Sequence, residues 1–277
     1  IGEYPTGGQP KSVRFLPGGR RIVVAQLKGP GLDVYYYDRG EAGSGQDGRR
    51  ISIRKGKPLR LPPGNRRHFG FVETAVLAKR GELWVSQMTT DRVHILGLED
   101  LDYRGSVDTG GHWSKVICPG PQERLVYVSN WVTKDISVID PEQRRLVRTI
   151  GLEDVPRGIA VAPKGTYLYV CLYESGKIEK IAIDSGARPE RRRGAKTAPS
   201  AGKGFERYPL YRPVFRRELT LELGPGAKRH IVLDPGGRFA YGSDMHSGRI
   251  FRIDLSDDSV LRSRWIGWNL NTIDISS

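Results

Sequence analysis

A repeat constrains this 277-residue chain more than any other feature of its sequence. Five times it runs through an alternating strand, a turn, a second strand ending in a small or polar residue, and a third strand often ending in Asp. First and second strands are expected at 11–16 and 21–26, 72–77 and 82–87, 115–118 and 125–130, 158–162 and 167–172, and 230–234 and 239–244. Third strands follow at 32–38, 92–97, 135–140, 177–184 and 249–254, and fourth strands such as 146–150 and 219–223 close each unit. Pro17-Gly18-Gly19, Pro163-Lys164-Gly165 and Pro235-Gly236-Gly237 fill the first turn, where Pro presets φ and Gly accepts a positive φ. No helical period of comparable strength competes.

Residues in register, Ala25, Ser86, Ser129, Cys171 and Ser243, are spaced 61, 43, 42 and 72 apart. A base period of 42–43 is the length of one four-stranded propeller blade. The chain is therefore expected to be all-β, a single β-propeller domain over 1–277 built of four-stranded antiparallel blades, five complete plus parts of a sixth. The two long intervals hold basic insertions, at about 39–60 and 186–217, between the third and fourth strands of blades one and four. Ile1-to-Pro5 reads as a fourth strand, and Asn271-to-Ser277 as the first strand of another blade. Because an unclosed propeller leaves strand edges exposed, these ends predict a longer parent of six or seven blades.

Three stretches identify the repeat type. They are Tyr127-Val128-Ser129-Asn130, the run Asp135-Ile136-Ser137-Val138-Ile139-Asp140, and the run from Pro156 through Gly165 to Val170. Together they resemble the YVTN-type β-propeller repeat of the lactonase-like and NHL-like superfamily. Blades three and four carry the resemblance best, although blade four has Cys171-Leu172 where the motif has Thr-Asn. The resemblance implies seven blades and a periplasmic or secreted protein. Propellers host many activities, so it does not name a function.

The net charge of +14 first suggests nucleic acid. Its distribution argues otherwise. Residues 38–68 hold nine Arg/Lys and three Asp/Glu, and residues 186–217 hold ten and two, which accounts for the whole surplus. Arg191, Arg192 and Arg193 lie among Gly, Ala, Pro and Ser, a composition expected to be mobile and to offer at most a polyanion contact. Arg49-to-Lys57 alternates around Ile51 and Ile53 and is expected to extend a hairpin. In Arg207-to-Arg217, Tyr208, Tyr211 and Phe215 are read as anchors to the blade in preference to stacking on bases. Nucleic acid is not the expected partner; simple solubilisation is the first reading of these segments, and contact with an anionic membrane or cell-wall polymer suits an extracytoplasmic protein better than nucleic acid does. No stretch approaches the ~18 apolar residues of a membrane helix. Cys118 and Cys171 make neither a disulfide framework nor a metal set.

Strand direction alternates within a blade, so first-strand entrances and second-strand exits share one face, the top. The entrance column reads Lys11, Val72, Ser114, Arg157, Arg229 and Asn271, and the next reads Ser12, Glu73, Lys115, Gly158, His230 and Thr272. First strands line the central channel, so these side chains ring its mouth. Second-strand exits add Gln26, Gln87, Asn130 and Asp244, followed by Met88, Trp131, Tyr173, Met245 and His246, and the loops add His68, His112, Trp113 and Trp268. The candidate ligand-binding set is Lys11, Glu73, Asn130, Trp131, Arg157, Tyr173, Arg229, His230, Asp244, His246 and Asn271. Arg and Lys would supply charged hydrogen bonds, and Trp and Tyr a stacking floor, for an anionic or sugar-like ligand or an acidic protein partner. No His-x-His or His-x3-His spacing exists, so no metal or cofactor is expected. A non-enzymatic, monomeric binding or scaffolding module is the favoured function. The alternative is a lactonase-like hydrolase drawing acid and base from Glu73, Asp244, His230 and Arg229 at the same mouth.

Overall fold

A computed structural model describes residues 3–39, 51–61, 69–184, 213–224, 226–270 and 273. It consists of five antiparallel sheets arranged as propeller blades. Blade one holds β1 (Pro10–Phe15), β2 (Arg21–Gln26), β3 (Gly31–Arg39), β4 (Ile51–Lys55) and β5 (Leu59–Arg60), the last two sharing the outer edge of β3. Blade two is β6 (Phe71–Leu77), β7 (Glu82–Gln87), β8 (Arg92–Gly97) and β9 (Tyr103–Asp108). Blade three is β10 (Ser114–Pro119), β11 (Val126–Asn130), β12 (Asp135–Asp140) and β13 (Arg145–Gly151). Blade four is β14 (Pro156–Val161), β15 (Tyr167–Leu172), β16 (Lys177–Asp184) and β17 (Val214–Glu222). Blade five is β18 (Lys228–Leu233), β19 (Phe239–Asp244), β20 (Arg249–Asp254) and β21 (Ser259–Trp265).

The strands differ by their place in the blade. Second and third strands such as β7 and β12 are covered on both faces and buried along almost their whole length, polar residues included. Fourth strands such as β13 lie at the rim and stay mostly exposed. Consecutive blades pack face to face through four apolar clusters. Leu83 and Phe71 meet blade one, Trp84 meets Val126 of blade three, Tyr127 meets Leu168 of blade four, and Tyr169 meets Phe251 of blade five. Among the described residues no such cluster joins blade five to blade one. Val13 and Phe15 of β1 are accordingly 58% and 61% exposed.

Each first strand carries a β-bulge at the same place. In blade one Pro10 pairs with Gln26 and Ser12 with Ala25, which leaves Lys11 extra. Val72 and Glu73 together oppose Ser86, Lys115 and Val116 oppose Ser129, and Arg157 and Gly158 oppose Cys171. In blade five Arg229 is the extra residue between Lys228 and His230. A bulge of this kind re-aims a side chain and bends the strand.

The second-strand hydroxyls fasten the bulges. Ser86 Oγ accepts the Glu73 N–H at 3.1 Å and donates to the Lys115 carbonyl of the next blade at 2.6 Å. Ser129 Oγ accepts the Val116 N–H at 3.1 Å and donates to the Arg157 carbonyl at 3.2 Å. Buried Ser243 stands at the same position in blade five, and its Oγ has no partner among the described residues. Gly158 is required by crowding. A Cβ there would lie 2.9 Å from His230 Cα and from Ile231 N.

Two expectations need adjustment and one holds. Residues 3–9 form no strand, contrary to the fourth strand read over Ile1-to-Pro5. The Pro5 carbonyl instead accepts from Tyr35 Oη at 2.6 Å and Lys55 Nζ at 3.1 Å, and the Gly7 N–H donates to Asp33 at 2.6 Å. Side-chain acceptors and donors on β3 and β4 replace the ladder that a strand would need. In the first basic segment, Ile51–Lys55 and Leu59–Arg60 pair with β3, in line with the expected hairpin. In the second, β17 begins at Val214, five residues before the strand read from 219, and Phe215 packs edge-on against Tyr127 at 6.3 Å. Arg191, Arg192, Arg193, Tyr208, Tyr211, Asn271 and, apart from Ile273, the C-terminal strand read from Asn271 lie outside the described residues.

Candidate functional site

The five bulges present Lys11, Val72, Lys115, Arg157 and Arg229, so four blades direct a cation at the top of the channel. Lys115 and Arg157 are each only 9% exposed. Lys115 Nζ lies 3.0 Å from the centroid of the Trp131 ring and 5.7 Å from that of Trp113. Arg157 Cζ is 5.5 Å from the Trp131 centroid. The aromatic wall continues from Trp131 to Tyr173 at 5.1 Å and from Tyr173 to His246 at 6.2 Å. The Tyr173 side chain favours the charged form of Arg229, and Arg229 Nη1 lies 3.2 Å from Met245 Sδ.

The cations act on one another. Burial, and then the charges of Arg157, Arg229 and Lys11, pushes the Lys115 ammonium down to about 6. The contact with Trp131 favours the ammonium and works against that shift. Burial and then Arg229 bring Arg157 down to about 10, with Glu73 and Tyr173 opposing. Lys11 is lowered by burial and by Arg157 and Arg229, and Arg229 is lowered by burial. None of the four forms an ion pair among the described residues. Arg157 Nε and Nη1 and Arg229 Nε are buried there without a hydrogen-bond partner.

The two acids of this face are engaged elsewhere. Glu73 lies 3.9 Å from Arg14, and burial raises its carboxyl despite the Arg14 and Arg157 charges. Asp244 lies 2.6 Å from buried Lys228 and accepts the backbone N–H groups of His246 at 3.0 Å and Ser247 at 3.1 Å. Asn130 also turns into the fold. Its Nδ2 donates to Asp135 and Ser137, each at 2.6 Å, and its Oδ1 accepts from Ser114 Oγ at 2.8 Å.

The candidates therefore divide. Lys11, Trp131, Arg157, Tyr173, Arg229 and His246 gather at the mouth. Glu73 borders it, and His230 follows the blade-five bulge with its backbone against Gly158. Asn130 and Asp244 hold strand ends together. Lys115 is the residue that the sequence columns set one row too low. The bulge register aligns Ser114 with Pro10 and Pro156, and Lys115 with Lys11 and Arg157. A signal was present in the dipeptides Pro10-Lys11, Ser114-Lys115, Pro156-Arg157 and Lys228-Arg229, in which the cation always follows the first residue of the strand.

Other concavities are less suited to an anion. A crevice of 510 Å³ between blades three and four is lined by charges that pair internally, including Lys177 with Glu222 at 2.9 Å and Arg217 with Glu153 at 2.7 Å. Among the described residues no three His, Cys, Asp or Glu side chains meet as a metal site, and no helix is long and apolar enough to cross a membrane.

No family model matches the chain, so the YVTN-type likeness stands on its sequence motif. The chain is 32% identical over 279 residues, along 100% of its own length, to Antigen Lp49 of Leptospira interrogans serogroup Icterohaemorrhagiae serovar copenhageni (strain Fiocruz L1-130), 52% of which is covered. It thus spans about half the length of that curated relative. Among solved structures it is similar to a functionally unknown protein from Desulfotomaculum acetoxidans DSM 771, with a TM-score of 0.63, 14% identity, and coverage of 97% of this chain and 75% of that one. It is also similar to the Kuenenia stuttgartiensis hydrazine synthase, with a TM-score of 0.51, 18% identity, and coverage of 67% and 46%. At these identities the likeness concerns the fold alone.

Proposed function

We propose that this protein is a binding module whose channel mouth captures an anionic ligand. One observation carries the reading. Four cations from four blades are aimed at the same opening by equivalent bulges, and no carboxylate pairs with them among the described residues. Holding like charges together in a partly desolvated site is unfavourable unless something of opposite charge completes it. The wall of Trp131, Tyr173 and His246 keeps water from one side and strengthens each charged contact. The repeat's likeness to YVTN-type propellers and the description of a relative as an antigen both suit an extracytoplasmic setting.

The test is calorimetric titration of the full chain with anions at fixed ionic strength. Replacing Arg157 with Ala should weaken the bound anion by about 2–4 kcal/mol, the usual cost of removing one charged hydrogen-bonding partner, while circular dichroism stays unchanged. Binding that survives both Arg157→Ala and Arg229→Ala would place the ligand elsewhere. Turnover of a lactone that is lost in Glu73→Gln would make the mouth a hydrolase site instead.

A further inference from the structure

The number and placement of the mouth cations bear on which anion fits. They come from blades one, three, four and five and so surround the opening instead of lining one wall. The one acid that borders them, Glu73, already faces Arg14. A monovalent anion would answer one of these groups and leave the other guanidinium and ammonium groups unanswered. A ligand with its charge at one end would reach only one side of the ring.

Burial argues against a polymer. Nucleic acids and acidic polysaccharides ride on exposed tracks of Lys and Arg. Two of these cations are only 9% exposed, with aromatic rings packed against them. The unpartnered Nε and Nη1 of Arg157 and Nε of Arg229 are planar donors suited to oxyanions, whereas Lys11 and Lys115 act as point charges.

Resting on the anion-binding reading above, we infer that the ligand is a small polyvalent oxyanion, a phosphate ester or polycarboxylate with three or more negative charges, held between the Arg157 and Arg229 guanidinium groups and the Lys11 and Lys115 ammonium groups. A divalent anion binds with part of this affinity, and a monovalent one hardly at all. Lys11 is exposed and closes the ring from blade one, so it can be removed without touching the core.

The experiment is titration of the full chain at constant ionic strength with acetate, inorganic phosphate, pyrophosphate, tripolyphosphate and citrate. The wild type is compared with Lys11→Ala, Arg157→Ala and Arg157→Lys. The expected result is one site whose affinity rises about tenfold for each added charge, with tripolyphosphate or citrate bound and acetate not. Lys11→Ala should weaken the trivalent ligands more than phosphate, and Arg157→Lys should retain more binding than Arg157→Ala. The contrast between tripolyphosphate and citrate then distinguishes phosphate from carboxylate ligands. If acetate binds as tightly as the trivalent anions and Arg157→Ala abolishes it, the anion site stands and its polyvalent selectivity is overturned. If every anion binds equally to wild type and Arg157→Ala, or none binds at all, both the site and its selectivity fall.

Discussion

At the residue scale the channel mouth turns on Lys115, whose ammonium in the free protein is brought down from an ordinary 10.5 to about 6 by burial and three neighbouring cations. An oxyanion at the mouth favours the charged form and raises that value again. Between pH 6 and 10 ligand binding should therefore carry a proton onto Lys115, and affinity should fall as pH rises through that window. Stability of the free protein moves the other way. The folded state holds fewer protons than the unfolded one in this range, so it gains stability as pH rises. Calorimetry in buffers of different ionisation enthalpy reads the proton directly. Uptake should be measurable above pH 6 in the wild type and vanish in Lys115→Met, and equal uptake in both proteins would remove Lys115 from the account.

At the element scale the recurring device is a bulge in the first strand tied by a hydroxyl at the end of the second. Ser86 and Ser129 each join their own bulge to the carbonyl of the next blade's cation-bearing residue. Ser86→Ala or Ser129→Ala leaves a buried carbonyl and N–H without that partner and should cost about 1–3 kcal/mol in chemical denaturation. Ser243→Ala, removing a hydroxyl that bonds nothing among the described residues, should cost far less. Equal losses at all three positions would contradict the latch. Most of the strand order was legible, because alternation, Pro-Gly turns and the recurring small residue all report local backbone preference. The bulge was not. The misplacement of Ser114 in the entrance column has another origin, since counting 14 residues back from Ala25, Ser129, Cys171 and Ser243 reaches Lys11, Lys115, Arg157 and Arg229. Asn130 and Asp244 could be placed at strand ends from their position, but their buried partners Ser114, Asp135, Ser137 and Lys228 depend on which way each side chain turns.

At the scale of the whole molecule, five blades meet through four apolar seams, and the fifth seam differs. There Phe15 and Val13 remain exposed, and among the described residues Ser243 lacks the carbonyl that its counterparts reach. The cation ring nevertheless spans that seam, since Lys11 is depressed by the charges of Arg157 and Arg229. Blade one therefore contributes to the mouth while sharing no apolar cluster with blade five among the described residues. An arrangement that concentrates repulsion at a binding site trades stability for function. The thermal midpoint of Arg157→Ala/Arg229→Ala, measured with and without tripolyphosphate beside the wild type, tests this most directly. The free double variant should melt no lower than the free wild type, because a buried and a half-buried cation that repel each other are gone, and the ligand should raise the midpoint of the wild type alone. A double variant that melts lower and still responds fully to the ligand would show that these cations hold the fold together and do not form the site.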